Sequence, residues 1–373
     1  MNKMNYVCPC LLGLEGFVAD ELRYMGAEDV QAQNGRVIFS GDYNILARAN
    51  ICSRYSERVL VLMGTFKARS FEELFEGVKA LPWENWIGKK DVFPVKGSSI
   101  NSKLASVPDC QSIIKKAVVE RLKQKYKVSW FEETGVLYQI QFLIMKDEVS
   151  VMIDTSGVGL HKRGYRENAK EAPIKETLAA AMANLARVRR DSIVIDPFCG
   201  SGTILIESAM KAMNIAPGIK RRFSSENWAN IDRSVWLEER TRARDMINND
   251  SGFQAYGYDI DSSALELTMD NAKKAGVESR ITVCNTDIRN FNQSNFERAT
   301  VICNPPYGER LLDINQAEEL YKVMGKVFKQ RPGWNYCIIS PDDDFELCYG
   351  RKADKRRKLY NGMIKCQVFM YFK

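Results

Sequence analysis

The amino-acid sequence predicts an α/β chain whose C-terminal part is a mostly parallel sheet and whose N-terminal part is two small α+β units. Three observations carry this. From Glu176 onward, apolar strand-like runs alternate with helix-like segments, the order expected of strands joined by crossover helices. Residues 193–207, IVIDPFCGSGTILIE, read as a buried strand, a tight glycine loop and a helix, a turn that lets backbone approach a nucleotide-like ligand. Before Glu176 the pattern changes to short strands and amphipathic helices with no long parallel series.

The elements follow in order. Val7 to Leu11 is apolar, Leu14 to Leu22 has helical spacing, and Gln33-Asn34-Gly35 turns into a strand ending near Phe39. A second α+β unit starts near residue 60. Arg58 to Gly64 is strand-like, and Phe71 to Leu81 is a helix stopped by Pro82. Pro108 to Lys125 is a helix with Ile113, Ile114, Ala117, Val118 and Leu122 on one face. Tyr138–Ile144 and Val149–Asp154 pair around Lys146-Asp147-Glu148. Residues 160–175, LHKRGYRENAKEAPIK, hold five Lys or Arg and read as a basic connector. Glu176 to Ala186 is an alanine-rich helix with Pro173 near its start. Near the end, LYNGMIKCQVFMYF predicts a hairpin on an Asn361-Gly362 type I′ turn, making the last two strands antiparallel.

Composition excludes several classes. With 373 residues, 45% apolar and 27% charged, the chain is ordinary globular protein. No run of about 18 apolar residues suits a membrane span. Glu15 and Asp20 interrupt the first apolar run, which argues against a secretory signal. The ten cysteines are scattered, Cys8 and Cys10 lack a second pair at zinc spacing, and His161 is the lone histidine. A cytoplasmic protein with reduced thiols and no metal is expected. The formal charge of +7 points weakly to a polyanionic partner.

Three strand tips then suggest one ligand. The loop after Asp196 lacks the Lys of a phosphate-binding loop and the third glycine of a dinucleotide loop. A carboxylate at that tip suits the cationic amine of an amino acid instead. Asp196, Phe198, Gly200, Ser201, Gly202 and Thr203 are the candidates there. The strand ending at Asp259 offers a carboxylate for ribose hydroxyls, with Asp261 or Ser262 as the N-cap of the next helix. Asp287 can accept from an adenine amine, with Ile260 and Ile288 on either side of the ring; the alternative is an aspartate that satisfies its own loop backbone. Amino acid, ribose and adenine together make S-adenosylmethionine, and the joint pattern resembles the class I, Rossmann-like methyltransferase fold.

The next tip is Cys303-Asn304-Pro305-Pro306-Tyr307-Gly308. Two prolines remove backbone donors and stiffen the turn. The Asn304 side-chain oxygen and the Pro305 carbonyl then offer two acceptors to a planar amino group, Tyr307 can stack on the base that carries it, and Gly308 lets backbone pass close by. NPPY resembles the signature of amino-group methyltransferases, which act on adenine N6, guanine N2 or a glutamine amide.

Longer stretches narrow this. SGVGLHKRGYRENAKEAPIKETLAAAM, DPFCGSGT, CNPPYGERL and GRKADKRRKLYNGMIKC look like the THUMP-domain RNA guanine-N2 methyltransferases, over nearly the whole chain. The resemblance implies an N-terminal ferredoxin-like domain over 1–65, an RNA-gripping THUMP domain over 66–158, and a connector plus methyltransferase domain over 159–373 with a seven-stranded sheet of order 3-2-1-4-5-7-6. It implies structured RNA as partner, 23S rRNA or a large-subunit assembly intermediate. Lys103, Lys115, Lys116, Lys162, Arg163, Arg166, Arg221 and Arg222 are candidate RNA contacts, although such lysines and arginines are equally a solvated surface. A tRNA guanine-N2 methyltransferase, a DNA adenine methyltransferase and a non-catalytic RNA chaperone stay open as rivals.

Overall fold

A computed structural model describes residues 3–166, 174–307 and 314–372. Pro173 and Gly308, singled out above, lie outside them. The N-terminal half contains β1 (Met4–Pro9), α1 (Glu15–Tyr24), β2 (Glu28–Gln33), β3 (Arg36–Gly41), α2 (Tyr43–Cys52), β4 (Leu60–Lys67), α3 (Phe71–Lys79), β5 (Val95–Ile100), α4 (Val107–Tyr126), β6 (Ile140–Met145) and β7 (Glu148–Asp154). The C-terminal half contains α5 (Glu176–Leu185), β8 (Ile193–Asp196), α6 (Thr203–Ala212), α7 (Arg233–Asp245), β9 (Gln254–Asp259), α8 (Ser262–Ala275), β10 (Ile281–Asn285), β11 (Ala299–Cys303), α9 (Ile314–Val327), β12 (Trp334–Ser340), α10 (Phe345–Tyr349), β13 (Lys355–Asn361) and β14 (Ile364–Tyr371).

The two N-terminal units share one seven-stranded sheet, ordered β2-β3-β1-β4-β7-β6-β5. β4 is the seam: Val61 pairs with Tyr6 on one side and with Ile153 on the other. The expected division at residue 65 therefore falls inside a strand, where it interrupts a continuous hydrogen-bonded ladder. β6 and β7 turn through Lys146 and Asp147, both at positive φ, the geometry of a two-residue type I′ hairpin. α4 buries Ile114, Ala117, Val118 and Leu122 against this sheet. Its Ser106 cap accepts from the Asp109 amide, which satisfies one of the free donors of the first turn.

The C-terminal sheet is ordered β10-β9-β8-β11-β12-β14-β13. Counted within this domain, that is 3-2-1-4-5-7-6, with β14 antiparallel between β12 and β13. β8 runs parallel to β9 on one side and to β11 on the other. The strand order reverses there, and a cleft opens outside the carboxyl ends of the strands. All of β11 is buried, as a strand covered on both faces should be.

The last hairpin differs from expectation by one residue. Asn361 pairs with Ile364, so Gly362 and Met363 form the turn. Gly362 has φ +68° while Met363 does not take positive φ, which matches a II′ turn with glycine at its first position. The slip turns the Asn361 side chain into the protein.

Candidate active site

Asp196, Asp259 and Asn304 all leave the carboxyl edge of the C-terminal sheet, from β8, β9 and β11. Asp196 is buried, and its Oδ1 accepts from the Phe198 amide at 3.0 Å. Burial, with Asp259 nearby, pushes its carboxyl up to about 8. A buried acid of this kind has the chemistry to meet a cation. Gly200 has φ +53°, and open space where a Cβ would stand. Its amide donates to Asp259 Oδ2 at 2.9 Å. The Asp261 amide donates to Asp259 Oδ1 at 3.0 Å, and Asp261 itself caps α8.

The loop is held from behind by α8. Thr268 Oγ1 donates to the Gly200 carbonyl at 2.8 Å, and Asn271 Nδ2 donates to the Ser201 carbonyl at 3.0 Å. Gly202, at φ +77°, lies where a Cβ would come within 2.6 Å of Thr268 Cγ2. Thr203 is buried, and its hydroxyl accepts from Arg166 at 2.9 Å. Buried Thr268 and Asn271 were not singled out in the sequence. Their signal was there: Ala264, Leu265, Thr268, Asn271 and Ala272 share the inner face of α8, and a polar residue on an apolar face needs a partner.

The adenine-side candidates are less evenly placed. Asp287 caps its own turn: Oδ1 accepts from the Arg289 amide at 2.8 Å and Oδ2 pairs with the Arg289 guanidinium at 2.8 Å. That is the self-satisfied loop aspartate of the alternative reading. Ile260 is 73% exposed, free to cover an apolar ring, whereas Ile288 is packed into the core with Ile195.

At the tip of β11, Asn304 Oδ1 is buried and has no hydrogen-bond partner among the described residues. Such an acceptor costs about 1–3 kcal/mol until something donates to it. Pro305 is buried beside it and Pro306 is half-buried. Tyr307, expected to stand open for stacking, is instead 5% exposed. Its hydroxyl accepts from Asn361 Nδ2 at 2.8 Å. Asn361 was read only as a turn residue, and its register explains why sequence alone missed the contact.

The basic candidates divide. Arg163 is a correction: it is buried, with Nε 3.3 Å from Glu207 Oε1 and Nη2 2.5 Å from the Arg54 carbonyl. It pins the connector to α6 and cannot face solvent. Arg166 is largely covered, paired with Glu176 at 3.0 Å and bonded to Thr203, so it supports the glycine loop rather than an RNA surface. Lys115 lies 2.6 Å from Glu133 and 3.4 Å over the Phe93 ring, and burial lowers its pKa. Lys103, Lys116, Lys162 and Arg222 are exposed, and Arg221 is half-buried.

Known proteins match this arrangement throughout. Residues 5–60 match the family described as the RlmL ferredoxin-like domain, residues 68–154 the THUMP domain, and residues 163–369 the RMKL-like methyltransferase domain. The chain is 42% identical to the "Putative RNA methyltransferase YpsC" of Bacillus subtilis (strain 168), covering all of this chain and 97% of that one. It is 32% identical to the ribosomal RNA large subunit methyltransferase K/L of Psychromonas ingrahamii, covering 99% of this chain and 50% of that one, so it spans half of that relative's length. The solved structure of SMU.472 complexed with SAH superposes with a TM-score of 0.94 at 40% identity, over all of this chain and 98% of that one. With its glycine loop, acidic strand tips and NPPY turn on this sheet, the chain belongs to the RMKL-like methyltransferase family, in the form that also carries RlmL-type ferredoxin-like and THUMP domains.

Proposed function

We propose that this chain methylates RNA from S-adenosylmethionine, at the exocyclic N2 of a guanosine in 23S rRNA. The observation that carries the reading is the buried, unpartnered Oδ1 of Asn304. It is an acceptor waiting for a donor, on a turn that two prolines have stiffened.

The other residues fit the same ligand pair. Asp196 receives the ammonium of the cofactor, and Asp259, beside Gly200, receives ribose hydroxyls. When bound, the cofactor supplies a methyl group on a cationic sulfur, an electrophile that needs no further activation. Asn304 Oδ1 and the Pro305 carbonyl accept from the two hydrogens of the substrate amine. A guanine amine is a poor nucleophile because its lone pair is delocalised into the ring. Holding both hydrogens out of the ring plane favours a pyramidal nitrogen and frees the lone pair. Positioning and charge complementarity supply the rate. Tyr307 stacks on the base, which requires the ring to become accessible when RNA arrives.

The RNA partner is supported by the THUMP match, by the RNA methyltransferase name of a relative matched over its whole length, and by the rRNA methyltransferase name of a relative of which this chain spans half. The test is mass-spectrometric nucleoside analysis of rRNA and tRNA, prepared separately from cells with and without the protein. N2-methylguanosine should fall in large-subunit rRNA alone. A fall confined to tRNA would keep the chemistry and move the substrate. In parallel, Asn304→Ala should bind S-adenosylmethionine as the wild type does and lose turnover; unchanged turnover would remove Asn304 from the mechanism.

A further inference from the structure

A second charged feature lies far from the cleft. Among the C-terminal ends of α6, α7 and α8 is an open hollow of about 760 Å3. Lys220, Arg221, Arg222, Arg240 and Arg244 line it, and Glu226 is the single carboxylate among the lining residues. Glu226 is already committed, since Arg240 holds it at 2.7 Å and 3.4 Å. Four cations are left uncompensated around one concavity.

Three helix ends could absorb such charge, and together they are not enough for four cations. The helix ends at Met213, Met246 and Gly276 each present a partial negative charge of about one half, roughly one and a half in total. Lys220 already serves the α8 end, donating to the Lys274 carbonyl at 2.9 Å. Arg221 is tethered to the Val158 carbonyl at 2.6 Å and lies 5.3 Å over the Phe223 ring. Burial, with Arg163 and Arg58 adding to it, lowers its pKa to about 10, so a nearby anion would relieve it. Arg222 and Arg244 are exposed, and neither has an ion-pair partner among the described residues.

We propose that this hollow is a second RNA-backbone site, separate from the active cleft, that grips phosphates of the structured RNA whose target base enters at Asn304. The proposal rests on the RNA-methyltransferase reading given above. The cofactor tips sit at the N-terminal ends of α6 and α8, and the hollow sits at their C-terminal ends. The 14 residues of α8 separate the two by about 21 Å. The hollow is open rather than enclosed, which suits a passing backbone more than a small nucleotide. It also borders the THUMP half: Trp228 Nε1 and Ser224 Oγ, which follow Arg222 in the same α6–α7 connection, donate to the Leu137 carbonyl at 3.1 Å and 3.3 Å. A backbone held at that seam would be gripped about 21 Å from the strand tips at which its target base reacts.

The experiment compares wild-type protein with R222E/R244E and with R222Q/R244Q. It measures affinity for a folded large-subunit rRNA fragment and for tRNA across a salt series, together with S-adenosylmethionine affinity by calorimetry. R222E/R244E should bind its RNA on the order of tenfold more weakly and show a salt dependence shallower by about 0.7–0.9 per lost phosphate contact. The glutamine pair should fall between, and S-adenosylmethionine affinity should not change. Equal RNA affinity and equal salt slope in all three proteins would overturn the hollow alone. Wild-type protein that binds neither RNA would overturn the RNA reading and the hollow together.

Discussion

Asn361, on the final hairpin, donates to the hydroxyl of Tyr307, on the NPPY turn, across 2.8 Å inside the protein. The two residues are 54 positions apart in the chain. The bond ties the orientation of the NPPY turn to the register of β13 and β14. Asn361→Ala would leave the Tyr307 hydroxyl short of a buried partner, a loss of about 1–3 kcal/mol. The expected result is a lower kcat and a higher KM for RNA, with S-adenosylmethionine affinity kept. Tyr307→Phe should repeat the defect in part, and Y307F/N361A should be no worse than N361A. Losses that simply add would show that the bond does not position the turn.

Arg163 and Glu207 form an ion pair with almost no exposed side-chain surface. Tyr165 adds a hydrogen bond to Glu207 at 3.0 Å. Removing one partner strands the other charge in the interior. Arg163→Ala or Glu207→Ala should therefore cost about 3–5 kcal/mol in urea unfolding, while R163M/E207L should lose far less. Equal, small losses in all three would mean that water reaches the pair.

With Asp196 as the counterion proposed for the cofactor amine, cofactor affinity should depend on pH. With its carboxyl near 8, it is protonated in the free protein at neutral pH, and it must ionise to hold an ammonium. Binding then releases a proton, and affinity should rise between pH 6 and pH 8 by up to about tenfold per unit. Above that the ligand amine itself loses its proton, near 8, and affinity should fall again. Calorimetry in buffers of different ionisation enthalpy reads the proton directly. Asp196→Asn should flatten the rising limb; a rising limb kept in that variant would assign the proton elsewhere.

Gly202→Ala tests the loop backbone. At φ +77° a side chain is strained, and the added carbon would stand 2.6 Å from Thr268 Cγ2. The expected loss is at least about 1 kcal/mol of stability, together with weaker S-adenosylmethionine binding. Gly200→Ala, with open space around it, should carry only the cost of its positive φ. Identical effects at both positions would mean that the contact with Thr268 is immaterial.

What could be read from sequence follows from how local each signal is. The helix of α4 and the strand tips of β8, β9 and β11 announced themselves because apolar period and punctuation lie within a few residues. β2 was not foreseen: nearly all its residues are exposed on a sheet edge, so no apolar alternation marks it. α2 and β5 were passed over for a related reason. α2 is a largely buried helix, and β5, Val-Lys-Gly-Ser-Ser-Ile, is too polar to read as a strand. At the site, the glycine loop was legible and its supports were not. Thr268, Asn271 and Asn361 act through contacts 54 to 70 residues away. Arg163 failed for the converse reason, because a basic run does not say which of its members turns inward to meet a glutamate on another helix.

The insertion of β14 between β12 and β13 also sets an order of events on the ribosome. Tyr307 is synthesised well before its partner Asn361, and β13 cannot join the sheet until β14, ending at Tyr371, has emerged. At about 5–20 residues per second, the 54-residue separation alone is a delay of roughly 3–11 s. Through that interval the seven-stranded sheet of the N-terminal half, all of whose strands precede residue 155, can already be folded. A nascent chain whose THUMP half can fold seconds before the NPPY turn is tied down is the kinetic consequence of placing the closing strand last.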